Sequence, residues 1–455
     1  MKEKWIPELD GLRALMIFMV SWYHIWQQSW LTPAVGSWSL DYLLRSGYVW
    51  VDGTVLLSAF LLYRPYARAR MGGTALPDPR AFYRRRARKI LPGYWFILAL
   101  TLFGVCIPWR LYATPQFLVK DVATHLTFTF PFFYDTYVAT PLGAACWTLA
   151  IETQAYALFP WVARASLRRP GRTCAALLTL CFGFRLWCLW SLKDFNMVVN
   201  QLINFLDVYV LGCLLAAAHE RLAEKKRPAW AAWAATGVFL LAGWGLLRML
   251  RVQAASSVYT AESGLAGWVG QLLGMERGSS NYPIIQRNQM LYRPVFAALF
   301  GALLLAAPRS VKPLRKLLGN RGTHFLAGIS MNYYLIHQTV IVHMRRIGFP
   351  PSESGYPNQA GEQPWQLHYT LWAFGLSLVL AAAITYGVEK PVQRLLDRRA
   401  AGRSGTAGTG GPKAAPPGMK TGAERTDGPE TVPGGAETVP ETSANGASDG
   451  AAEKA

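Results

Sequence analysis

Charge is what this chain has least of. Asp, Glu, Lys and Arg make up 16% of its 455 residues, whereas a soluble domain carries about 25%. Metal-binding patterns are missing too. The six cysteines form no CxxC pair and no Cys/His cluster at ligand spacing, which argues against zinc-ribbon and redox sites, and no metal is expected. Cys174, Cys181 and Cys188 recur every seven residues and so share one helix face, as a packing stripe would. The N-terminus lacks the clean apolar core of a cleaved signal peptide, because Glu8, Asp10 and Arg13 interrupt it.

What the chain does have is long apolar blocks. Residues are 52% hydrophobic and 13% aromatic, with 18 tryptophans suited to interfacial belts. A spanning helix needs about 20 mostly apolar residues. Ten blocks qualify: 9–30, 48–63, 91–108, 145–163, 174–192, 201–218, 229–247, 290–307, 325–344 and 369–388. The pattern predicts an all-α polytopic membrane bundle of about ten transmembrane helices. Residues 117–133 are apolar but carry Lys120, Asp121 and His125, which reads as a re-entrant or interfacial segment, with an eleventh span as the alternative.

The net charge of +20 would suit nucleic acid were it not gathered between the apolar blocks, the pattern of cytoplasmic loops. With the N-terminus cytoplasmic, the inside loops hold nine basic residues from Arg64 to Lys89. They also hold Arg164, Arg168, Arg169 and Arg172, then Arg221, Lys225, Lys226 and Arg227, then Arg309, Lys312, Arg315, Lys316 and Arg321. Outside loops hold fewer. Ten spans with both termini cytoplasmic, in the cell membrane, satisfy the positive-inside rule. Residues 1–399 form the membrane domain. Residues 400–455, rich in Gly, Ala, Pro, Thr and Glu, read as a disordered cytoplasmic tail, since too little can be buried to offset ordering entropy.

Ionisable groups at membrane depth are costly and point to function. Arg13 and His24 are eleven residues apart, about 16 Å along one helix face, and Asp10 stands one turn before Arg13. A lone intramembrane His equally serves as a hydrogen-bonding strut. Glu152, counted from the start of the fourth block, falls at a depth comparable to His24, where a carboxylate fixes the imidazole of a general base. Thr148 and Tyr156 flank it. Asp52, Ser58, Asn204, Asp207, Asn332 and His337 are further candidates for the same cavity. Arg185 requires an acidic partner, Asp207 or Glu152. The cluster Arg84, Arg85, Arg86, Arg88 and Lys89 reads as topogenic charge or as a seat for phosphate.

The opening PELDGLRALMIFMVSWYHI resembles the first helix of the bacterial membrane acyltransferase-3 family, whose active-site Arg and His fall here on Arg13 and His24. FYRRRARKILPGYW resembles its arginine segment, the Arg-x-x-Arg element falling on Arg85 and Arg88. WTLAIETQAY resembles the segment ending in Glu152, ISMNYYLIH the one ending in His337, and GVEKPVQRL the closing Glu-Lys-Pro element. One departure stands out: VDGTVLLSAF has Ala59 for the family's Gly, and Gly53, Thr54 and Val55 for a bulky trio. No esterase-like domain is expected after the tenth helix.

The resemblance implies O-acylation across the bilayer. The donor would be cytoplasmic acetyl-CoA or another short acyl-CoA, and the acceptor an extracytoplasmic hydroxyl on a polysaccharide, lipid-linked glycan or small molecule. It implies His24 as general base or acyl relay, Arg13 holding the donor, Glu152 orienting His24, and Arg85 and Arg88 binding CoA phosphates. No nucleic acid and no obligatory protein partner are expected. The competing reading is a transporter or flippase, but the motifs have no second copies, whereas such folds are often built from repeats. The loop 248–289 reads as an acceptor-selecting segment or as a passive connector.

Overall fold

The computed structural model describes residues 5–143, 146–223, 228–255 and 281–406. Expectations for Lys225, Lys226 and Arg227, for most of the 248–289 loop and for the tail beyond 406 lie outside the described residues. The chain divides into two units, Met1–Ala401 and Gly402–Ala455. Of the second, the described part is the end of the helix Lys390–Thr406.

Ten helices of 18 residues or more stand among the described residues: α1 Glu8–Ser29, α2 Trp50–Met71, α3 Pro79–Thr101, α4 Trp147–Arg168, α5 Pro170–Ser191, α6 Leu206–Ala223, α7 Trp230–Ala255, α8 Asn281–Ala306, α9 Arg321–Arg346 and α10 Trp365–Ile384. Each predicted block overlaps one of them, but only 325–344 lies wholly inside its helix; the others overrun an end, 91–108 the furthest, since α3 stops at Thr101. Six helical stretches are long and apolar enough to cross a bilayer: Pro79–Cys106, Pro170–Ser191, Leu202–Ala223, Trp230–Ala255, Ile285–Arg309 and Trp365–Arg398. The four long helices outside that set, α1, α2, α4 and α9, are interrupted by the polar and charged residues that the sequence singles out. In α7 only 11% of the most apolar stretch is buried, against 61% around α8, and Trp233, Leu241 and Trp244 face outward. The apolar helices therefore form much of the outer wall.

The arginine segment expected to be a loop is helix. Arg and Lys are good helix formers, and Asp78 caps α3 by accepting from the Ala81 amide at 2.8 Å, with Pro79 in the first turn. That bond holds the Asp78 carboxyl below the usual carboxylate range. Residues 117–133 resolve into a 12-residue helix, Pro115–Leu126, and a turn at Phe130–Phe132. Twelve residues rise about 18 Å, short of the bilayer core of about 30 Å, so no eleventh span forms there.

The unusual α2 sequence is explained by its neighbours. A Cβ on Gly53 would lie 2.5 Å from Met16 Sδ and 2.9 Å from Phe300, which fill the space a bulky residue would take. Ala59 packs on Gly212 of α6, where a Cβ would come within 2.6 Å of the Ala59 Cβ; the glycine of this crossing sits on the partner helix.

Two buried ion pairs tie α2, α5, α6 and α8 together. Arg185 takes Asp207 as its partner at 2.7 Å, with the Asn204 carbonyl as a second acceptor. Arg293, fully buried, pairs with Asp52 at 3.1 Å and lies 3.9 Å over the Phe205 ring. Removing one member of such a pair strands a buried charge, at a cost of about 3–5 kcal/mol. Asp207→Ala should therefore lower the thermal unfolding temperature of the detergent-solubilised protein sharply, and adding Arg185→Leu should recover most of the loss.

Candidate active site

Arg13 and His24 open into two different cavities. The first, of about 170 Å³, is lined by Arg13 from α1, Thr54 and Ser58 from α2, and Arg86 and Lys89 from α3. Thr148, Glu152 and Tyr156 from α4, Ser330 and Tyr334 from α9, and Glu389 complete it. The second, of about 260 Å³, is lined by Tyr23, His24 and Gln27 from α1 with Tyr48, Tyr137, Trp147, Asn196, Asn200, Gln286, Gln289, Tyr334 and Gln338. Tyr334 borders both.

The first cavity is rich in cations. Glu152 accepts from the Tyr156 hydroxyl at 2.5 Å, one helical turn away. Glu389 is held by Asn332 at 2.6 Å and Gln393 at 2.9 Å. Among the described residues no carboxylate comes within ion-pair distance of Arg13, Arg86 or Lys89. Arg86 instead lies 5.6 Å from the Phe82 and Tyr156 rings, and its Nε is buried without a partner. Guanidinium and ammonium groups so placed are ready to take up an anionic ligand.

Arg85 and Arg88 line neither cavity. Helix phase is the reason: Phe82 and Ile90 are buried, and positions 82, 86, 89 and 90 share a face at i, i+4, i+7 and i+8. Arg85 is exposed, and Arg88 donates to Asp397 at 2.8 Å. The pair that lines the first cavity is Arg86 and Lys89, one residue on from the pair expected, with Lys89 also exposed to solvent.

The second cavity carries no Asp, Glu, Lys or Arg among the described residues; amides and aromatic rings dominate it. His24 is not oriented by Glu152. Trp147, the first residue of α4, already lines the His24 cavity, so Glu152 lies more than a turn further on, beside Arg13. His24 Nδ1 instead lies 3.0 Å from Gln27 Oε1, and Gln27 Nε2 donates to the Tyr23 hydroxyl at 3.0 Å. The acceptor oxygen of Gln27 assigns the proton to Nδ1 and leaves Nε2 with a free lone pair. His337, wholly buried, lies 5.3 Å from the His24 ring and bonds the Tyr334 carbonyl through Nδ1.

Two other sequence candidates fall elsewhere. Asp10 does not bond Arg13; it accepts from Trp5 at 3.1 Å and pairs with His324 at 2.9 Å. Asp52 belongs to the Arg293 ion pair rather than to either cavity. Sequence reasoning missed Gln27 and Tyr334, and it named Arg86 and Lys89 only as part of the basic cluster rather than as the cavity-lining pair. The spacing His24-x-x-Gln27 on one helix face and the phase set by Phe82 were the available signals, while nothing local marks Tyr334.

A family profile described as an acyltransferase domain matches residues 6–387, nearly all of the helical unit. The chain belongs to the acyltransferase-3 family. Curated relatives include the O-acetyltransferase OatA of Staphylococcus aureus strains NCTC 8325, COL and MRSA252. Each is 25% identical over 240 residues, which cover 49% of this chain and 36% of the relative. The chain thus spans about a third of the length of these proteins. No solved structure matches it.

For an acyltransferase with this site, Gln27→Leu should lower kcat about tenfold or more through loss of the fixed tautomer. Gln27→Glu, which still accepts from Nδ1, should restore most of the rate. Steady-state acyl transfer measured across a pH series checks this.

Proposed function

We propose that this protein is a membrane O-acyltransferase. It moves an acetyl or other short acyl group from cytoplasmic acyl-CoA to a hydroxyl of an extracytoplasmic acceptor. The observation that carries the reading is the pair of cavities meeting at Tyr334. One holds cations without partners, suited to the phosphates of a CoA donor. The other is uncharged and lined by amides and aromatic rings, suited to a sugar hydroxyl, with an imidazole nitrogen at hand.

In this reading Arg13, Arg86 and Lys89 hold the donor, with the thioester directed toward His24. His24 Nε2 takes the proton of the acceptor hydroxyl as its oxygen attacks the thioester carbonyl. The carbon–sulfur bond breaks, and the proton passes from His24 to the departing thiolate. The ester and free CoA are the products, and protons balance without another reactant. Glu152 and Tyr156 fix the donor wall rather than the base, and His337 backs the His24 ring. Membership of an acyltransferase family and the relatives named as O-acetyltransferases support the chemistry.

The same reading has ten spans in the cell membrane, with both termini and the 400–455 tail cytoplasmic. The basic first turns of α3 support that orientation. It also puts Arg13 toward the cytoplasm and His24 toward the outside.

His24→Ala should abolish transfer from labelled acetyl-CoA in proteoliposomes while leaving the protein folded and inserted; retained transfer would sink the mechanism. Arg86→Gln and Lys89→Gln should each raise the KM for acetyl-CoA about tenfold, the worth of one charge-assisted contact. Arg85→Gln should change it by less than about twofold.

A further inference from the structure

Beyond the His24 cavity lies a second chamber that the acyl-transfer reading leaves unused. It has a volume of about 340 Å³ and is lined by Thr140, Gln338, Thr339, His343 and Arg346, with small apolar residues between them. Gln338 lines this chamber and the His24 cavity alike. The two are therefore neighbours along α9, and Arg346 stands eight residues beyond Gln338, about 12 Å along the axis.

Among the described residues, three polar groups here lack a hydrogen-bond or ion-pair partner, although the His343 ring packs edge-on against Trp109 at 5.7 Å. Gln338 Oε1 and His343 Nδ1 are buried with no hydrogen bond. Arg346 is exposed and has no ion pair among the described residues. The neighbouring charges are already committed. Arg345 donates to Asn358 at 3.0 Å and lies 5.1 Å from the Trp365 ring. Asp121, on the short helix nearby, accepts from Tyr112 and Thr140 at 2.8 Å each and lies 3.1 Å from His125. What remains open is a guanidinium beside an imidazole at one end of the chamber, and an amide at the other end, where it meets the site of the reacting hydroxyl.

We infer that this chamber is an acceptor subsite for an acidic group. The acceptor is then a short glycan carrying a carboxylate or phosphate one or more sugar units from the hydroxyl that is acylated. Arg346 binds the anion, His343 donates a second hydrogen bond, and Gln338 bridges the sugar between the two chambers. The inference rests on the acyl-transfer reading for the identity of the neighbouring cavity. It adds the charge of the acceptor and the residue that selects it.

The test uses two labelled trisaccharides that differ only in a terminal glucuronate or glucose residue, bound to the full chain in phosphatidylcholine vesicles. Equilibrium dialysis reads binding without turnover. The wild type should bind the glucuronate form about tenfold more tightly, as expected for one charge-assisted contact. Arg346→Gln should erase that preference, whereas Arg345→Gln, which removes the same charge from the same turn, should keep it. Equal binding of the two sugars, including no measurable binding of either, overturns the inference, as does a preference that survives Arg346→Gln. A preference that disappears when the vesicles contain phosphatidylglycerol assigns the chamber to lipid headgroups and overturns it as well. None of these outcomes bears on His24, whose role in acyl transfer is read separately from the His24→Ala variant, so the two readings fail independently.

Discussion

Burying charge in a bilayer is the constraint from which the rest of this molecule follows. A lysine, arginine or aspartate at mid-helix costs about 2.5–3.5 kcal/mol even by the gentler insertion scales. A chain that needs Arg13, Glu152 and His24 at depth must therefore surround them. The bundle does so by division of labour: α5, α7 and α10 present Leu and Trp outward, while α1, α2, α4 and α9 carry the polar groups. The inner four look poorly apolar for the same reason that they matter.

Within that shelter the charges are of two kinds. Arg185 and Arg293 are matched by Asp207 and Asp52, and each also bonds backbone carbonyls. Such pairs are costly to assemble and worse to break, so they act as rivets between helices. Arg13, Arg86 and Lys89 have no such partner and face a cavity open to a ligand. The distinction separates the paired cations from those left open to a ligand. The neutral second cavity needs no counter-charge, and there Gln27 gives His24 an acceptor without adding a carboxylate, as the proposed base would require.

The helices were legible in the sequence because each contains a mostly apolar block of 16 to 22 residues, close to the length that spans a bilayer core, and such blocks have few alternatives. The prominence of Arg13, His24, Glu152 and Tyr156 was legible as well, since ionisable side chains stand out against that background. Two things were not. Helix phase at the arginine segment is fixed by Phe82 and Ile90 turning inward, so the cavity is lined by Arg86 and Lys89 rather than by Arg85 and Arg88. Relative depth between helices was the second: assuming that α4 starts at the membrane surface brought Glu152 level with His24. The chain enters α4 with Trp147 already beside the His24 cavity, after the short Pro115–Leu126 helix. Tertiary entry points of that kind leave no mark on local periodicity.

Tyr334 gives the two cavities their relation. Its ring borders both, and its carbonyl bonds Nδ1 of His337, which backs His24. One residue of α9 thus joins the wall of the cationic chamber to the support of the imidazole. In the proposed reaction a donor anchored by charge on one side and a hydroxyl held by amides on the other would meet at this residue, which among the described residues is the one that lines both cavities. An acyl group passing between them need travel no further than the width of one side chain, and the charged part of the donor need never cross. In the proposed reaction that arrangement would move a small neutral fragment across the barrier while leaving every phosphate on the side where it entered, a low-cost partition of charge in a bilayer.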